Sequence, residues 1–225
     1  MRIVLRIGGS VVASPINPTL IRKYGAMLTG LRRKGHEFVV VVGGGKLARE
    51  FIEAAKDIGL DEQSQDEIAI SVSRVFAQLV LKKLGPLGCR TVPSTLQEAS
   101  EYLSEGEVVV MGGLKPGMTT DTVAALVAEE VKADLIIKAS DLDGVYDKDP
   151  KLHADAVKFD RLTFEELPRI FSERKHKAGI HQIIDPEAVK ILVRSRTQVA
   201  VVNGFEVRNV QLAVEGKAVG TLIES

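Results

Sequence analysis

Three nearly unbroken aliphatic runs each end in a cluster of glycines, and that pairing restricts the fold more than any other feature of the chain. Arg2–Ile7 runs into Gly8-Gly9-Ser10, Glu37–Val42 into Gly43-Gly44-Gly45-Lys46, and residues 107–111 into Gly112-Gly113, with Gly117-Met118-Thr119-Thr120 close behind. Strands that are apolar on both faces belong inside a parallel sheet covered by helices. Further Val/Ile-rich runs at 134–138, 198–202 and 217–223 extend the sheet, and helical spacing fills 19–34, 46–58, 66–84, 121–132 and 187–194. The expectation is an open α/β sandwich, whose ligands bind where the strands end.

At 225 residues, 45% of them hydrophobic, the chain suits one large domain or two intimate lobes. No low-complexity linker interrupts it, and the softest boundary lies near residues 131–134. Lys plus Arg and Asp plus Glu number 30 each, so no net field draws the protein to nucleic acid or an acidic membrane, and any anion site must be local. Aromatic residues make up only 4% and Trp is absent, which leaves no base-stacking platform; neither nucleic acid nor membrane is expected as a partner. Cys89, the single cysteine, rules out an intrachain disulfide and any multi-cysteine zinc site. Met1 opens into Ile3-Val4-Leu5, a run too short for a signal or membrane helix, so the expected location is cytoplasmic. Among His36, His153, His176 and His181 no spacing suits a metal, and no protein-held metal is expected.

A glycine after a strand lets the main chain approach a phosphate, and the N–H groups of the following helix then bind the anion. One such loop is usually only a tight turn. Three in the same position imply several phosphates. A P-loop would need glycine at Val40 and Ser or Thr at Leu47, so that pattern fails twice. Gly43, Gly45 and Ala48 do fit a dinucleotide fingerprint, with Asp61 or Glu62 about 20 residues on. In that fold the acid closes a second strand, whereas residues 59–66 are polar and hold no strand, so nicotinamide chemistry is the minor reading.

Phosphoryl transfer needs positioning and charge stabilisation more than covalent chemistry, so cations beside these loops are the residues to seek. Arg6, Lys46, Arg49 and Lys190 are the candidates. Arg6 interrupts an apolar run just before the first loop, where a phosphate role competes with that of a strand-end charge. Thr119, Thr120 and Asp121 open a helix, as a cap followed by a first-turn acid. Functionally, the hydroxyls would bind phosphate while Asp121 orients cations. The acidic turn from Asp141 to Pro150 holds Tyr146 and Asp149 and suits either a nucleotide pocket or a plain turn. The basic run Arg174-Lys175-His176-Lys177 is a solvated segment or a closure over phosphates.

In this order, Leu5-Arg6-Ile7-Gly8-Gly9-Ser10, the Gly-Gly-Gly-Lys-Leu-Ala-Arg string at 43–49, Thr119-Thr120-Asp121 and Asp143-Gly144-Val145-Tyr146 with Asp149-Pro150 resemble the amino acid kinase superfamily, and within it the archaeal-type UMP kinases. The likeness runs from end to end. It implies a three-layer αβα sandwich of the carbamate kinase-like kind, with a central, mainly parallel sheet of about eight strands. It implies a single domain over 1–225, with a UMP-binding lobe over about 1–131 and an ATP-binding lobe over about 132–225. UMP would be held by Gly44, Asp66 and the loop Leu114, Lys115, Pro116, Gly117, Met118, Thr119 and Thr120, with Asp66 on the ribose. ATP would be held by Gly9, Ser10, Gly45, Arg49, Ser140, Tyr146 and Asp149. Arg6 and Lys190 fall where relatives place phosphate-binding lysines, and Arg6, Asp121 and Lys190 form the implied catalytic set. Magnesium bound with ATP and a homohexamer are also implied. Ser140-Asp141-Leu142 stands where the family usually shows Thr-Asn-Val, Leu114 replaces a common threonine, and Phe76 occupies a position often held by asparagine. The implied reaction is transfer of the ATP γ-phosphate to UMP. The alternatives are another small-molecule kinase of this fold and a nucleotide- or oxyanion-binding protein without activity.

Overall fold

The computed structural model describes residues 1–172 and 184–225. The basic run at 174–177, with His176 and His181, lies outside the described residues. Seven strands form the main sheet: β1 (Arg2–Ile7), β2 (Glu37–Val42), β3 (Val109–Met111), β4 (Leu135–Ser140), β7 (Arg161–Thr163), β8 (Gln198–Asn203) and β9 (Thr221–Glu224), in the order β3-β2-β1-β4-β8-β9-β7. All neighbours run parallel except β8 and β9. The main sheet thus has seven strands where about eight were expected. β5 (Val145–Tyr146) and β6 (Lys158–Phe159) pair with each other as a separate two-stranded ribbon.

Helices cover the sheet in two layers. In one, α2 (Pro18–Arg33) contacts both α4 (Glu62–Leu84) and α9 (Val207–Val214); in the other, α5 (Leu96–Ser104), α6 (Thr120–Glu130), α8 (Pro186–Ser195) and α7 (Glu166–Ser172) follow one another. Two further helices, the short α1 (Gly9–Val12) and α3 (Gly45–Asp57), start within the first two glycine loops. The core is the expected one: Ile3, Leu5 and Ile7 of β1, Phe38 of β2, Met111 of β3 and Ile137 of β4 are fully buried between the layers. Strands buried on both faces tolerate no polar side chain without a partner, which makes Arg6 and Lys138 in adjacent central strands conspicuous.

The chain lays β2 and β3 outward on one side of β1, then returns to place β4 on its other side. Strand order therefore reverses between β1 and β4, and crevices at such reversals, beyond the carboxyl ends of the strands, are where open α/β sheets bind ligands. The loops leaving these strands continue the ladder: Gly8 N donates to Ala139 O at 2.8 Å, Gly43 N to Ile7 O at 3.1 Å, and Gly204 N to Ser140 O at 2.7 Å. Their main chains are thus fixed before any ligand binds.

Candidate active site

The first two glycine loops touch backbone to backbone. A Cβ on Gly9 would lie 2.0 Å from Gly45 N, and one on Gly45, whose φ is +63°, would lie 2.4 Å from Gly9 O. Only glycine allows that approach. Ser14 Oγ closes the joint by accepting from Lys46 N at 2.5 Å. The third loop joins through α6: a Cβ on Gly43 would sit 3.4 Å from Thr120 Oγ1. Three loops separate in sequence therefore meet at one place.

Beneath them lies a charged cluster. Arg6 Nη2 donates to Thr120 Oγ1 at 3.1 Å, and its Nε lies 2.8 Å from Asp121 Oδ1. That second contact is a charge pairing without hydrogen-bond alignment. Lys138, in direct register with Arg6 on β4, places Nζ 2.5 Å from the same Asp121 oxygen. These side chains are only 17% (Arg6), 14% (Asp121) and 7% (Lys138) exposed. Burial alone would raise the Asp121 pKa, but Arg6 and Lys138 outweigh it and hold the carboxyl below its usual range. For Lys138, burial first and then Arg6 bring the pKa down to about 8, against the pull of Asp121 and Asp185. As expected, Thr119 caps α6, accepting from Asp121 N and Thr122 N. The Asp121 carboxylate, by contrast, turns inward.

One more carboxylate ties this corner together. Asp185 Oδ1 caps α8, accepting from Glu187 N at 2.9 Å and Ala188 N at 3.0 Å. Its Oδ2 accepts from Thr119 Oγ1 at 2.5 Å and Thr122 Oγ1 at 3.0 Å, bridging the starts of α6 and α8.

A cavity of about 150 Å3 opens beside the loops, lined by Gly44, Ala48, Asp66, Ala69, Ile70, Ser73, Gly113, Met118 and Thr120. Gly44, Asp66, Met118 and Thr120 were expected together, and the structure brings them together. Read from sequence alone, Asp66 is a helix cap. Here Asp61 takes that role, accepting from Ser64 N, because α4 begins one turn earlier. The Asp66 carboxylate is thereby free to accept from Gly117 N at 2.7 Å. Ser73 and Arg74 of α4 brace the third loop from behind: Ser73 Oγ accepts from Gly113 N at 2.8 Å, Arg74 Nε donates to Gly113 O at 3.0 Å and its Nη2 to Leu114 O at 3.2 Å. Lys115 is exposed in that loop, beside Pro116.

The other expected positions are scattered more widely. Ser10 follows Gly9 in α1, and Arg49 lies exposed one turn into α3. Ser140 ends β4, beside the first loop. Tyr146 donates its hydroxyl to Asp143 Oδ1 at 2.5 Å, which pushes its pKa up to about 12. Asp149 is buried and accepts from Lys151 N at 2.9 Å, so it shapes the acidic turn. Lys46 extends into solvent toward Glu50. Lys190 is not brought to the cluster: it is 73% exposed on the outer face of α8 and paired with Glu187 at 2.8 Å. The second cation on Asp121 is Lys138. Sequence reasoning missed it, although it breaks an apolar run just as Arg6 does. Phe76 is packed in the core, away from the cavity lining.

Among the described residues, no group of three or more His, Cys, Asp or Glu side chains could hold a metal. No described helix is long and apolar enough to cross a membrane.

Both the sequence and the fold have known relatives. Residues 1–203 match the amino acid kinase family. The chain is 38% identical over 225 residues to a uridylate kinase of Methanobrevibacter smithii, covering 100% of both chains. It is 43% identical over 223 residues to one of Archaeoglobus fulgidus, covering 99% of this chain and 100% of that one. The crystal structure of uridylate kinase from Archaeoglobus fulgidus superposes with a TM-score of 0.89 at 41% identity, over 99% of this chain and 100% of the other.

Proposed function

This chain belongs to the amino acid kinase family, and on that premise we propose that it is a phosphotransferase that moves the γ-phosphate of ATP to UMP, giving UDP and ADP for pyrimidine nucleotide synthesis. The observation that carries this reading is the meeting of three glycine loops above Arg6, Asp121 and Thr120 at the point where strand order reverses. The archaeal relatives, matched over their whole length and named uridylate kinases, supply the acceptor.

In this reading UMP lies toward the cavity, between Gly44, Asp66 and the loop 114–120, and ATP lies over Gly9, Ser10, Gly45 and Arg49, reaching toward Ser140, Tyr146 and Asp149. The two lobes, about 1–131 and about 132–225, thus divide the nucleotides between them. A UMP phosphate oxygen attacks the γ-phosphorus in line; the bond from that phosphorus to the bridging oxygen breaks, and ADP leaves. The second pKa of a phosphate monoester is about 6, so the attacking group is already ionised near neutrality and needs no general base. Glycine N–H groups hold the two phosphates in line, and Arg6 faces the charge that spreads over the transferring group. Asp121 orients Arg6. Lys190, on the outer face of α8, has no part in this assignment. Magnesium would arrive on the phosphates of ATP, since Asp121 is already shared by two cations. A cytoplasmic location follows from these two substrates. A homo-oligomer, a hexamer by family likeness, is supported by exposed apolar residues on α3 and α4, among them Phe51 at 48% and Val75 at 56%.

ATP consumption measured with UMP, CMP, isopentenyl phosphate and acidic amino acids tests the function. Fastest turnover with UMP is expected. No turnover with UMP, or a faster rate with isopentenyl phosphate, would overturn it. Light scattering at micromolar concentration tests the assembly, and a monomer there removes the oligomer.

A further inference from the structure

We propose that Lys138 is a positioning residue for phosphoryl transfer: it answers the charge of Asp121, so that the Arg6 guanidinium on the next strand stays uncompensated and available to the phosphates above. The inference rests on the phosphoryl-transfer reading just given.

A carboxylate beside one guanidinium makes a neutral pair, which has little to offer an anion. Here a single carboxylate oxygen serves two cations, with Arg6 Nε at 2.8 Å and Lys138 Nζ at 2.5 Å. Two cations against one carboxylate leave a surplus positive charge, and burial keeps water from screening it. That surplus points toward the loops. Arg6 Nη2 reaches Thr120 Oγ1, and Nη1 lies under the first loop, 3.1 Å from where a Gly8 Cβ would stand. Lys138 itself is shut away from that side. Only 7% of its side chain is exposed, and beside it lies a small space walled largely by Ala124, Ala125, Ile136, Ala188, Leu192 and Val199, so its charge acts through Asp121 and not by touching a nucleotide.

The charged groups that face Lys138 are Arg6 from β1, Asp121 from α6 and Asp185 at the start of α8. Strand β8, on its other side, offers Val199 and Val201 and no titratable group. Asp185 offsets the surplus only in part: its pull on Lys138 is weaker than that of Asp121, and its carboxylate is held by the threonine hydroxyls and the N–H groups that open α8 rather than by Lys138 itself. Lowered pKa values of buried lysines make such charges switchable within an accessible pH range. Rising pH through about 8 removes the Lys138 proton and hands Asp121 entirely to Arg6.

The test uses the full chain and its Lys138→Met and Lys138→Arg variants, assayed for UDP formation from about pH 6 to about pH 10. Lys138→Met is expected to lower kcat by about 10- to 100-fold while KM for both nucleotides stays within about threefold. The wild-type rate should fall as pH rises through about 8. That limb should vanish in Lys138→Met, while Lys138→Arg should recover most of the rate and hold it flat. A Lys138→Met protein with wild-type kcat, or one that keeps the alkaline limb, overturns the proposal. A second readout needs no turnover. In protein labelled with ε-13C lysine, the NMR resonance missing from Lys138→Met is followed with pH in wild type and in Arg6→Leu. Because the two cations compete for Asp121, loss of Arg6 should raise the midpoint; an unchanged midpoint overturns the proposal even if UMP proves to be the wrong acceptor.

Discussion

Arg6 and Lys138 stand side by side on neighbouring parallel strands, in register, and both end on the same oxygen of Asp121. Placing two cations in a double-faced apolar sheet is costly, and one carboxylate offsets only part of that cost. For the reaction, Arg6→Ala is expected to reduce kcat by about 100- to 1,000-fold with little change in KM for UMP. Arg6→Lys should recover part of the loss, since it restores charge but not the guanidinium fork. Steady-state kinetics decide the matter, and equal turnover in Arg6→Ala and wild type would remove Arg6 from the mechanism.

The same cluster predicts a stability effect of opposite sign. The folded-state pKa of Lys138, about 8, lies below its ordinary 10.5. Between those values the unfolded chain holds more protons, so stability rises with pH across that window, and at neutral pH the full penalty of the buried charge is present. Lys138→Met should therefore stabilise the fold by ~1–3 kcal/mol near pH 7, with the advantage shrinking as pH passes 8. Denaturant melts at pH 7 and pH 10 measure it. A variant less stable at both would mean that the ion pairs outweigh the burial cost.

Gly9→Ala separates close approach from mere flexibility. Its Cβ would stand 2.0 Å from Gly45 N and 2.4 Å from Gly45 Cα, both backbone atoms that cannot swing aside. The first two loops must part, and kcat/KM is expected to fall by at least about 100-fold. Gly30→Ala is the control: it lies inside α2 with open space around the new methyl, and it should raise stability by about 1 kcal/mol with no kinetic change.

Asp66→Asn tests the substrate side. The carboxylate holds Gly117 N at 2.7 Å and borders the cavity. The variant should raise KM for UMP by about tenfold or more, leave KM for ATP near wild type, and speed hydrogen exchange at the Gly117 amide. A rise confined to ATP would exchange the two nucleotide sites.

The sheet and its glycine loops were legible because both signals are local: an apolar run, then residues that free the main chain. The parallel arrangement followed from burial on both faces. What local signals could not convey was register. Lys138 breaks its strand as Arg6 does, yet no glycine follows it at once, and only the pairing of β1 with β4 brings it to Asp121. Asp185 before Pro186 reads as a helix start, which it is; that its second oxygen also binds Thr119 and Thr122 depends on how α6 packs on α8. Lys190 sits one helical face away from Ala188 and Leu192, which point inward, and spacing along α8 decides that only once the sheet side is known. The ribbon of β5 and β6, two residues per strand, is too short for any periodic pattern to show.

The reversal of strand order at β1 also dictates when the protein can become itself during synthesis. Once residue 131 has emerged, the ribosome has released every glycine loop and Asp121, but β1 still lacks its neighbour on one side, because β4 begins only at Leu135. Until that strand docks, a strand whose Ile3, Val4, Leu5 and Ile7 are all fully buried in the finished fold presents an open edge, a template for pairing with another chain. Parallel pairings between distant segments form slowly and leave such edges exposed while they do. The nascent N-terminal half therefore depends on the arrival of the strand that carries Lys138, and the residue that completes the charged cluster also lies on the strand that covers the free edge of β1.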